Sequence, residues 1–209
     1  MGAAFGPEAA DFELLHAWRG GDRAAGNELT ARHYASVLRF FEAKVPHAAE
    51  DLTQQAFLAC VEGRGRIREG ASFRPYLFAI ARHGLLDYLR SNDRRRRLMS
   101  FRADAPQSQI TPSRVVVMRQ EQRLLMRAFD RLVPEMSIAL VLYYWEGMST
   151  KDIAESMELS PTAVTTRLAR ARGKLRETIE DMQTDPRVQA SLLSDLEGWT
   201  RSVGGVSPS

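Results

Sequence analysis

Cysteine is almost absent from this chain, because Cys60 is the only one in 209 residues. A single thiol excludes an intramolecular disulfide and any Cys-x-x-Cys metal motif. Cys60 falls within an apolar helical pattern, which favours a buried, unreactive side chain. Histidine is also scarce, with only His16, His33, His47 and His83. No two of them stand at the short spacing that is typical of a metal site. The sequence therefore predicts no metal and no cofactor.

Long hydrophobic runs are absent as well. No apolar stretch approaches the roughly 20 residues that span a bilayer. The N-terminus lacks the basic start and apolar centre of a signal peptide. We therefore expect a soluble protein of the reducing cytoplasm. No nucleophile–base pair, phosphate-binding glycine loop or carboxylate pair stands at a recognisable spacing, so we do not expect an enzyme.

Strand signals are nearly absent, whereas apolar residues recur at helical spacing along most of the chain. This pattern predicts an all-α fold with two small helical domains, at residues 11–97 and 114–181. The segment 98–113 between them contains two prolines and many small polar residues, which is typical of a flexible linker. In the C-terminal extension, 182–209, we expect a short amphipathic helix over 186–196 and disorder at the very end.

Positive charge is concentrated in two blocks, although the net charge of the whole chain is only +3. Residues 90–102 contain six arginines and one acid, and residues 160–176 contain four arginines, one lysine and no acid. The rest of the chain is therefore acidic on balance. Such clustering indicates contact with a polyanion such as nucleic acid. The run Arg94–Arg97 at a helix end could instead compensate the helix dipole, but four consecutive arginines exceed that need.

The stretch from Ser149 to Arg176 predicts two short helices joined by a tight turn. Ser149 can cap the first helix, and Ser160 followed by Pro161 suits the start of the second. Such a second helix can present its outer face to the DNA major groove. The alternative is an ordinary helical corner with solvated arginines. On either interpretation, the inner stripe of the second helix would consist of Val164, Leu168, Ala171 and Leu175. Its outer face would carry Thr165, Thr166, Arg167, Arg170 and Arg172.

Three segments, in this order, resemble parts of one known family. AEDLTQQAFLACVEG resembles the polymerase-docking helix of bacterial sigma-70 factors. FRPYLFAIARHGLLDYLRSNDRR resembles the promoter-melting helix of their extracytoplasmic-function (ECF) group, and EGMSTKDIAESMELSPTAVTTRLARARGKLR resembles the helix-turn-helix of their fourth domain. The resemblance covers about residues 11–180. It implies a dissociable initiation subunit of bacterial RNA polymerase, with domain 11–97 serving polymerase docking and the −10 element and domain 114–181 serving the −35 element.

The resemblance also implies roles for individual residues. The residues that it implies for docking on the clamp helices of the polymerase β′ subunit are Asp51, Gln54, Gln55 and Phe57. Phe57 equally fits the apolar core. Contact with the −10 element falls to Tyr76, His83, Asp87, Arg90, Arg94 and Arg95. Tyr76 and His83 stand where the family commonly has tryptophan and asparagine, and both can still stack on or hydrogen-bond a flipped base.

For the −35 element, the matching positions are Thr165, Thr166, Arg167, Arg170 and Arg172, residue types that can contact base edges or phosphates. Glu158 departs from the family because it stands in the turn where a glycine is common. If Glu158 must adopt a left-handed conformation, we expect a cost of about 1 kcal/mol. Two further departures in the same stretch are Thr162, which replaces a glycine, and Ala163, which replaces a threonine.

The partners implied by the resemblance are core RNA polymerase, through its β′ clamp helices and β subunit, promoter DNA and an anti-sigma factor. Two other functions stay open at this point. One is a sigma mimic that sequesters an anti-sigma factor, which would need the helical shape but not the basic blocks. The other is a helix-turn-helix repressor, which would leave residues 48–97 unexplained and would usually act as a dimer.

Overall fold

The computed structural model describes residues 7–67, 72–99 and 119–204, and every regular element in these ranges is helical. The predicted all-α fold is confirmed. We number the helices in chain order. They are α1 Pro7–Arg19, α2 Arg23–Glu42, α3 Ala49–Gly63, α4 Phe73–Met99, α5 Gln120–Arg131, α6 Pro134–Leu140, α7 Thr150–Met157, α8 Pro161–Glu180, α9 Pro186–Ser194 and α10 Leu196–Val203. A π-helical turn, Val141–Trp145, continues α6.

Helices α1–α4 form an N-terminal bundle, which we name for its position. Helix α2 begins at a cap residue, Asp22, whose side chain accepts hydrogen bonds from the amides of Ala24 and Ala25. The centre is rich in phenylalanine, and Phe40 lies edge-on to both Phe41 and Phe78. The thiol of Cys60 is buried here, and burial raises its pKa to about 12, as expected for an unreactive cysteine.

Helices α5–α10 form a C-terminal bundle around α8. The inner stripe of α8 is buried as predicted, and it packs on α5, α6 and α7. The predicted helix over 186–196 is present as α9 but ends at Ser194, because the chain bends at Asp195 before α10 begins. Sequence analysis missed α10, although Leu196, Trp199 and Val203 recur at helical spacing. Disorder was expected over 203–209, but Val203 ends α10 and Gly204 caps it, whereas residues 205–209 lie outside the described part of the chain.

The two bundles are in direct contact. Helix α7 packs against α4, and the buried apolar residues of both bundles form one continuous cluster. Lys44, just after α2, donates hydrogen bonds to backbone carbonyls at the end of α5, and Arg74 of α4 donates to the carbonyl of Glu146. Most of the predicted linker 98–113 lies outside the described residues, but its first two residues continue α4. The two bundles are therefore joined by packing and hydrogen bonds as well as by the chain segment between α4 and α5.

A buried polar cluster ties α1 to α2. Asp11 Oδ2 lies 2.6 Å from His33 Nε2, and Asp11 Oδ1 lies 2.6 Å from Arg32 Nη1. Burial lowers the pKa of His33, and the neighbouring Asp11 acts in the opposite direction without overcoming it. The His33 ring also packs on Phe73, the first residue of α4, so the cluster lies between α1, α2 and the start of α4.

We predict that His33 makes the protein less stable in mild acid. In the unfolded chain the imidazole takes up a proton at about pH 6.5. Because its pKa is lower in the folded chain, the unfolded state binds more protons below that pH. The free energy of unfolding should therefore fall as the pH drops through this range.

Urea unfolding between about pH 5 and 8 tests this prediction, with His33→Gln as the variant that cannot titrate. The wild type should lose more stability towards acid than the variant does. Parallel curves for the two proteins would show that His33 contributes nothing to the pH dependence.

Candidate nucleic-acid interface

The starts of α7 and α8 and the turn between these helices are held by local hydrogen bonds. The Ser149 hydroxyl accepts from the amide of Asp152 at 3.1 Å, and the Ser160 hydroxyl accepts from the amide of Ala163 at 3.2 Å, so both predicted caps are formed. Glu158 ends α7 in the left-handed conformation, with φ 57° and ψ 44°. It is the only non-glycine residue with positive φ in the described ranges 7–67, 72–99 and 119–204. The strain anticipated from the sequence is therefore present.

The outer face of α8 borders an open groove. Thr165, Thr166 and Arg170 are exposed and Arg167 is half-buried. The threonine hydroxyls donate to the carbonyls four residues earlier, which leaves their oxygens free to accept further bonds. The groove has a volume of about 720 Å³ and is lined by Val133, Glu135, Met136, Ser160, Thr162, Ala163, Thr166, Arg167 and Arg170.

Arg172 lies apart from this groove. Its Nη1 donates to the hydroxyl of Tyr144 at 3.2 Å and lies 3.5 Å from Glu197 Oε1 on α10. The hydrogen bond to Tyr144 raises the pKa of Arg172, and burial raises that of the Tyr144 phenol. The predicted role of Arg172 in DNA contact stays a prediction. The local sequence gives no sign of these partners, because they come from distant parts of the chain.

The outer face of α3 carries the predicted docking residues. Asp51, Gln54 and Gln55 are exposed, whereas Phe57 is only 8% exposed and stacks on Tyr34, so it belongs to the core as well. At the centre of the same face lies Leu58, an apolar side chain that is 60% exposed. Sequence analysis missed Leu58, although its position between the polar residues of this face already set it apart from the inner stripe. Val61 extends the exposed apolar surface by one turn.

A long stripe of polar side chains follows α4. Because 3.6 residues make one turn, positions 76, 83, 87, 90 and 94 share one face, and Arg95 lies about a quarter-turn away. His83 is exposed, and Asp87 and Arg90 form an exposed ion pair at 3.0 Å. Tyr76 is half-buried, and its hydroxyl lies so close to Gly63 that any side chain there would collide with it.

The arginine run at the end of α4 is described in part. Arg94 and Arg95 are exposed, and the backbone stays helical through Met99. The resemblance to the ECF group also implies a base-selecting loop at 63–72, of which residues 68–71 lie outside the described part of the chain. Among the residues that the structure does describe, no cluster of potential metal ligands occurs, and no helix is long and apolar enough to cross a membrane.

We predict that Glu158→Gly stabilises the protein by about 1 kcal/mol, because glycine adopts the left-handed conformation without the Cβ penalty. Urea unfolding measures the change. Glu155→Gly is the matched control, since it removes the same charge from a helical position and should destabilise by about 1 kcal/mol. Equal losses in both variants would mean that the turn at Glu158 stores no strain.

Comparison with known proteins gives matches along most of the chain. The model "Sigma-70 region 2" matches residues 29–95, and "Sigma-70, region 4" matches residues 122–175. RNA polymerase sigma factor CarQ of Myxococcus xanthus is 32% identical over 176 residues, covering 82% of this chain and 98% of CarQ. ECF RNA polymerase sigma factor SigM of Mycobacterium tuberculosis is 28% identical over 185 residues, covering 87% of this chain and 91% of SigM. The chain spans only 43% of another relative, sigma factor RfaY of Xanthomonas campestris, at 31% identity and 80% coverage of this chain.

Two known structures share the fold. CnrH, in complex with the cytosolic domain of CnrY, aligns with TM-score 0.61 at 23% identity over 83% of this chain and 99% of CnrH. RpoE of Bartonella quintana, in complex with the anti-sigma factor NepR, aligns with TM-score 0.60 at 19% identity over 75% of this chain and 99% of RpoE. The motifs, the two matched regions and the near-complete coverage of CarQ agree, and the chain belongs to the sigma-70 family of RNA polymerase sigma factors, in its ECF group.

Proposed function

We propose that this sigma factor binds core RNA polymerase through α3 and reads the −10 and −35 promoter elements with α4 and α8. The observation that carries the proposal is the presence of three distinct surfaces on one chain. These are the docking face of α3, the polar stripe of α4 and the basic outer face of α8. A repressor needs only the last of them, and a sigma mimic has no use for the basic blocks.

For the −35 element, the residues best placed are those that line the groove or stand exposed beside it. Arg167 and Arg170 can pair with guanine or with phosphate, and Thr165 and Thr166 can accept from a base edge or contact a thymine methyl group. The domain that carries them is the one expected at 114–181. Arg172, which is engaged by Tyr144 and Glu197, supports this domain from the other side.

For the −10 element, we assign contact to the α4 stripe of the domain at 11–97. Tyr76 offers a ring for a flipped base to stack on, and His83 offers a hydrogen-bonding edge. The same helix continues with Asp87, Arg90, Arg94 and Arg95. The exposed arginines at its end can contact phosphates of the DNA strand that leads away from the −10 element. The side chains at 83, 87, 90, 94 and 95 are exposed, as this role requires.

Polymerase docking is assigned to the α3 face, with Leu58 as an apolar centre among Asp51, Gln54 and Gln55. An exposed leucine ringed by polar groups is the pattern of a protein interface rather than of a solvated helix. We propose the β′ clamp helices and the β subunit as polymerase contacts, an anti-sigma factor as a regulatory partner and the cytoplasm as the site of action. The protein itself would catalyse no reaction.

Run-off transcription with purified bacterial core RNA polymerase tests the function. The chain should direct initiation from cognate promoters that core polymerase alone does not use. Absence of any promoter-dependent transcript on every cognate candidate would contradict the proposal. Capture of an anti-sigma factor without transcription would favour the mimic, and binding as a dimer to a palindrome would favour the repressor.

We predict that Arg170→Ala weakens binding of the −35 element and lowers transcription. If Arg170 reads a base, single-base variants of the element should show a loss of about 1–3 kcal/mol at one position, whereas a phosphate contact weakens all of them equally. Arg19→Ala, which removes an exposed arginine of α1, is the control. Unchanged affinity of the Arg170 variant for every element would exclude this contact.

We predict that Leu58→Asp lowers the affinity for core polymerase by at least about tenfold, because a charge would enter the apolar centre of the docking face. Fluorescence anisotropy of labelled protein titrated with core polymerase measures the change. Phe12→Asp alters another exposed apolar residue, 51% exposed on α1, and should leave the affinity unchanged. Equal effects of both variants would place the docking surface elsewhere.

A further inference from the structure

A second cavity lies where the end of α1, the start of α2 and the end of α3 meet. It has a volume of about 380 Å³, and its wall includes Trp18, Arg23, Gly26, Asn27, Val61 and Arg64. Two of the residues that line it are arginines, and none is acidic. The cavity therefore presents positive charge and hydrogen-bond donors, which are the groups that bind an anion.

The two arginines belong to different helices. Arg23 is the first residue of α2, and Arg64 directly follows α3. Both are exposed, and neither forms an ion pair with any residue of the described ranges. Arg64 Nη1 donates to the carbonyl of Val61 at 3.2 Å, which keeps its guanidinium group at the end of α3. Two like charges at one cavity repel each other, and an anion bound there would offset that repulsion.

The cavity wall also carries a buried donor. Trp18 is only 8% exposed, yet none of the hydrogen bonds within residues 7–67, 72–99 and 119–204 engages its indole N–H. The nitrogen lies so close to Gly26 that any side chain there would collide with it. Because Gly26 lines the same cavity, the N–H lies at the cavity wall. A buried donor without a partner costs free energy, which an acceptor bound in the cavity would recover.

The cavity adjoins the docking face of α3. Val61 lines the cavity and follows Leu58 by one turn, and both are exposed apolar side chains. Charge is therefore ordered along this face. The helix begins with Glu50 and Asp51, continues with the two apolar residues and ends at the cavity with its arginines. A partner that covers the whole face meets an acidic end, an apolar centre and a basic end.

We propose that this cavity is an anchor site, which binds a carboxylate side chain of core RNA polymerase when the polymerase docks on α3. The Trp18 N–H and the guanidinium groups of Arg23 and Arg64 donate to the carboxylate, and Val61 covers its aliphatic stem. The inference rests on the proposed function, since it adds a charged contact to the docking face. It also gives the docked polymerase segment a direction, with its acidic group at the end of α3.

A phosphate of DNA is the other anion that such a cavity can hold. The surroundings favour the carboxylate, because the surface next to the cavity is apolar at Leu58 and Val61, as in a protein interface. DNA backbone binding requires cations along the path of the strand. The stripe that we assign to the −10 element follows α4, and no described residue of that helix lines the cavity.

Fluorescence anisotropy of the labelled full chain, titrated with core polymerase, tests the anchor site. A double variant, Arg23→Gln with Arg64→Gln, removes both charges and keeps polar side chains. We expect it to bind at least about tenfold more weakly than the wild type, with an affinity that depends less on salt. Arg187→Gln, which neutralises an exposed arginine of α9, is the matched control and should bind as the wild type does. Circular dichroism and thermal melting report whether each variant is folded.

Trp18→Phe tests the buried donor separately. It removes the indole N–H and keeps an aromatic ring against Phe73, on which Trp18 packs edge-on. We expect binding to core polymerase to weaken by about threefold to tenfold. The salt dependence should stay that of the wild type, because no charge is lost. Misfolding of this variant would leave the double arginine variant as the test.

Three outcomes are decisive. Wild-type affinity in the folded double variant, with a loss in Leu58→Asp, would overturn the anchor site and leave the docking face in place. Weaker binding of a single-stranded oligonucleotide that carries the −10 element, with unchanged polymerase affinity, would assign the cavity to phosphate and also overturn it. A loss in the double variant with none in Leu58→Asp would support the anchor site and contradict the docking role proposed for the centre of α3.

Discussion

The backbone carbonyls at the end of α5 need hydrogen-bond donors, and the buried carboxylate of Glu146 needs cationic or hydrogen-bonding partners. The chain supplies both from cations of its other half. This requirement fixes how the two bundles meet, because Lys44 can reach three carbonyls only if α5 ends against the segment after α2. Arg39 and Arg74 then lie against Glu146, and α7 packs on α4. Burial at this contact lowers the pKa of Lys44. The apolar cluster is continuous across the same boundary.

The helix-turn-helix depends on this arrangement for its position but not for its shape. Its caps at Ser149 and Ser160 and its left-handed turn at Glu158 are local. One helix of the motif, α7, is shared between α8 and α4, so the motif is part of the bundle contact while the outer face of α8 stays open.

Residues 182–204 of the C-terminal extension pack against the rest of the C-terminal bundle. Trp145 Nε1 donates a 2.7 Å hydrogen bond to the carbonyl of Thr200, and Gly204 lies so close to the Trp145 ring that only glycine fits. Arg201 stacks over Tyr144, and Glu197 reaches Arg172. Residues after Asp181 thereby support α8 from the side opposite the groove. This packing explains why Arg172, which follows the exposed Arg170 in sequence, has protein partners.

The sequence by itself determined the elements and their faces. Helical spacing predicted the inner stripe of α8, and capping residues indicated where α2, α7 and α8 begin. Glu158, in place of a glycine, indicated strain at the turn. All of these features depend on near neighbours in the chain. Only the tertiary structure decided that Phe57 is buried, that Leu58 is left exposed, that Arg172 meets Tyr144 and that Lys44 caps α5. These contacts join residues between 28 and 88 positions apart or depend on what covers a helix, and no local pattern encodes such pairings.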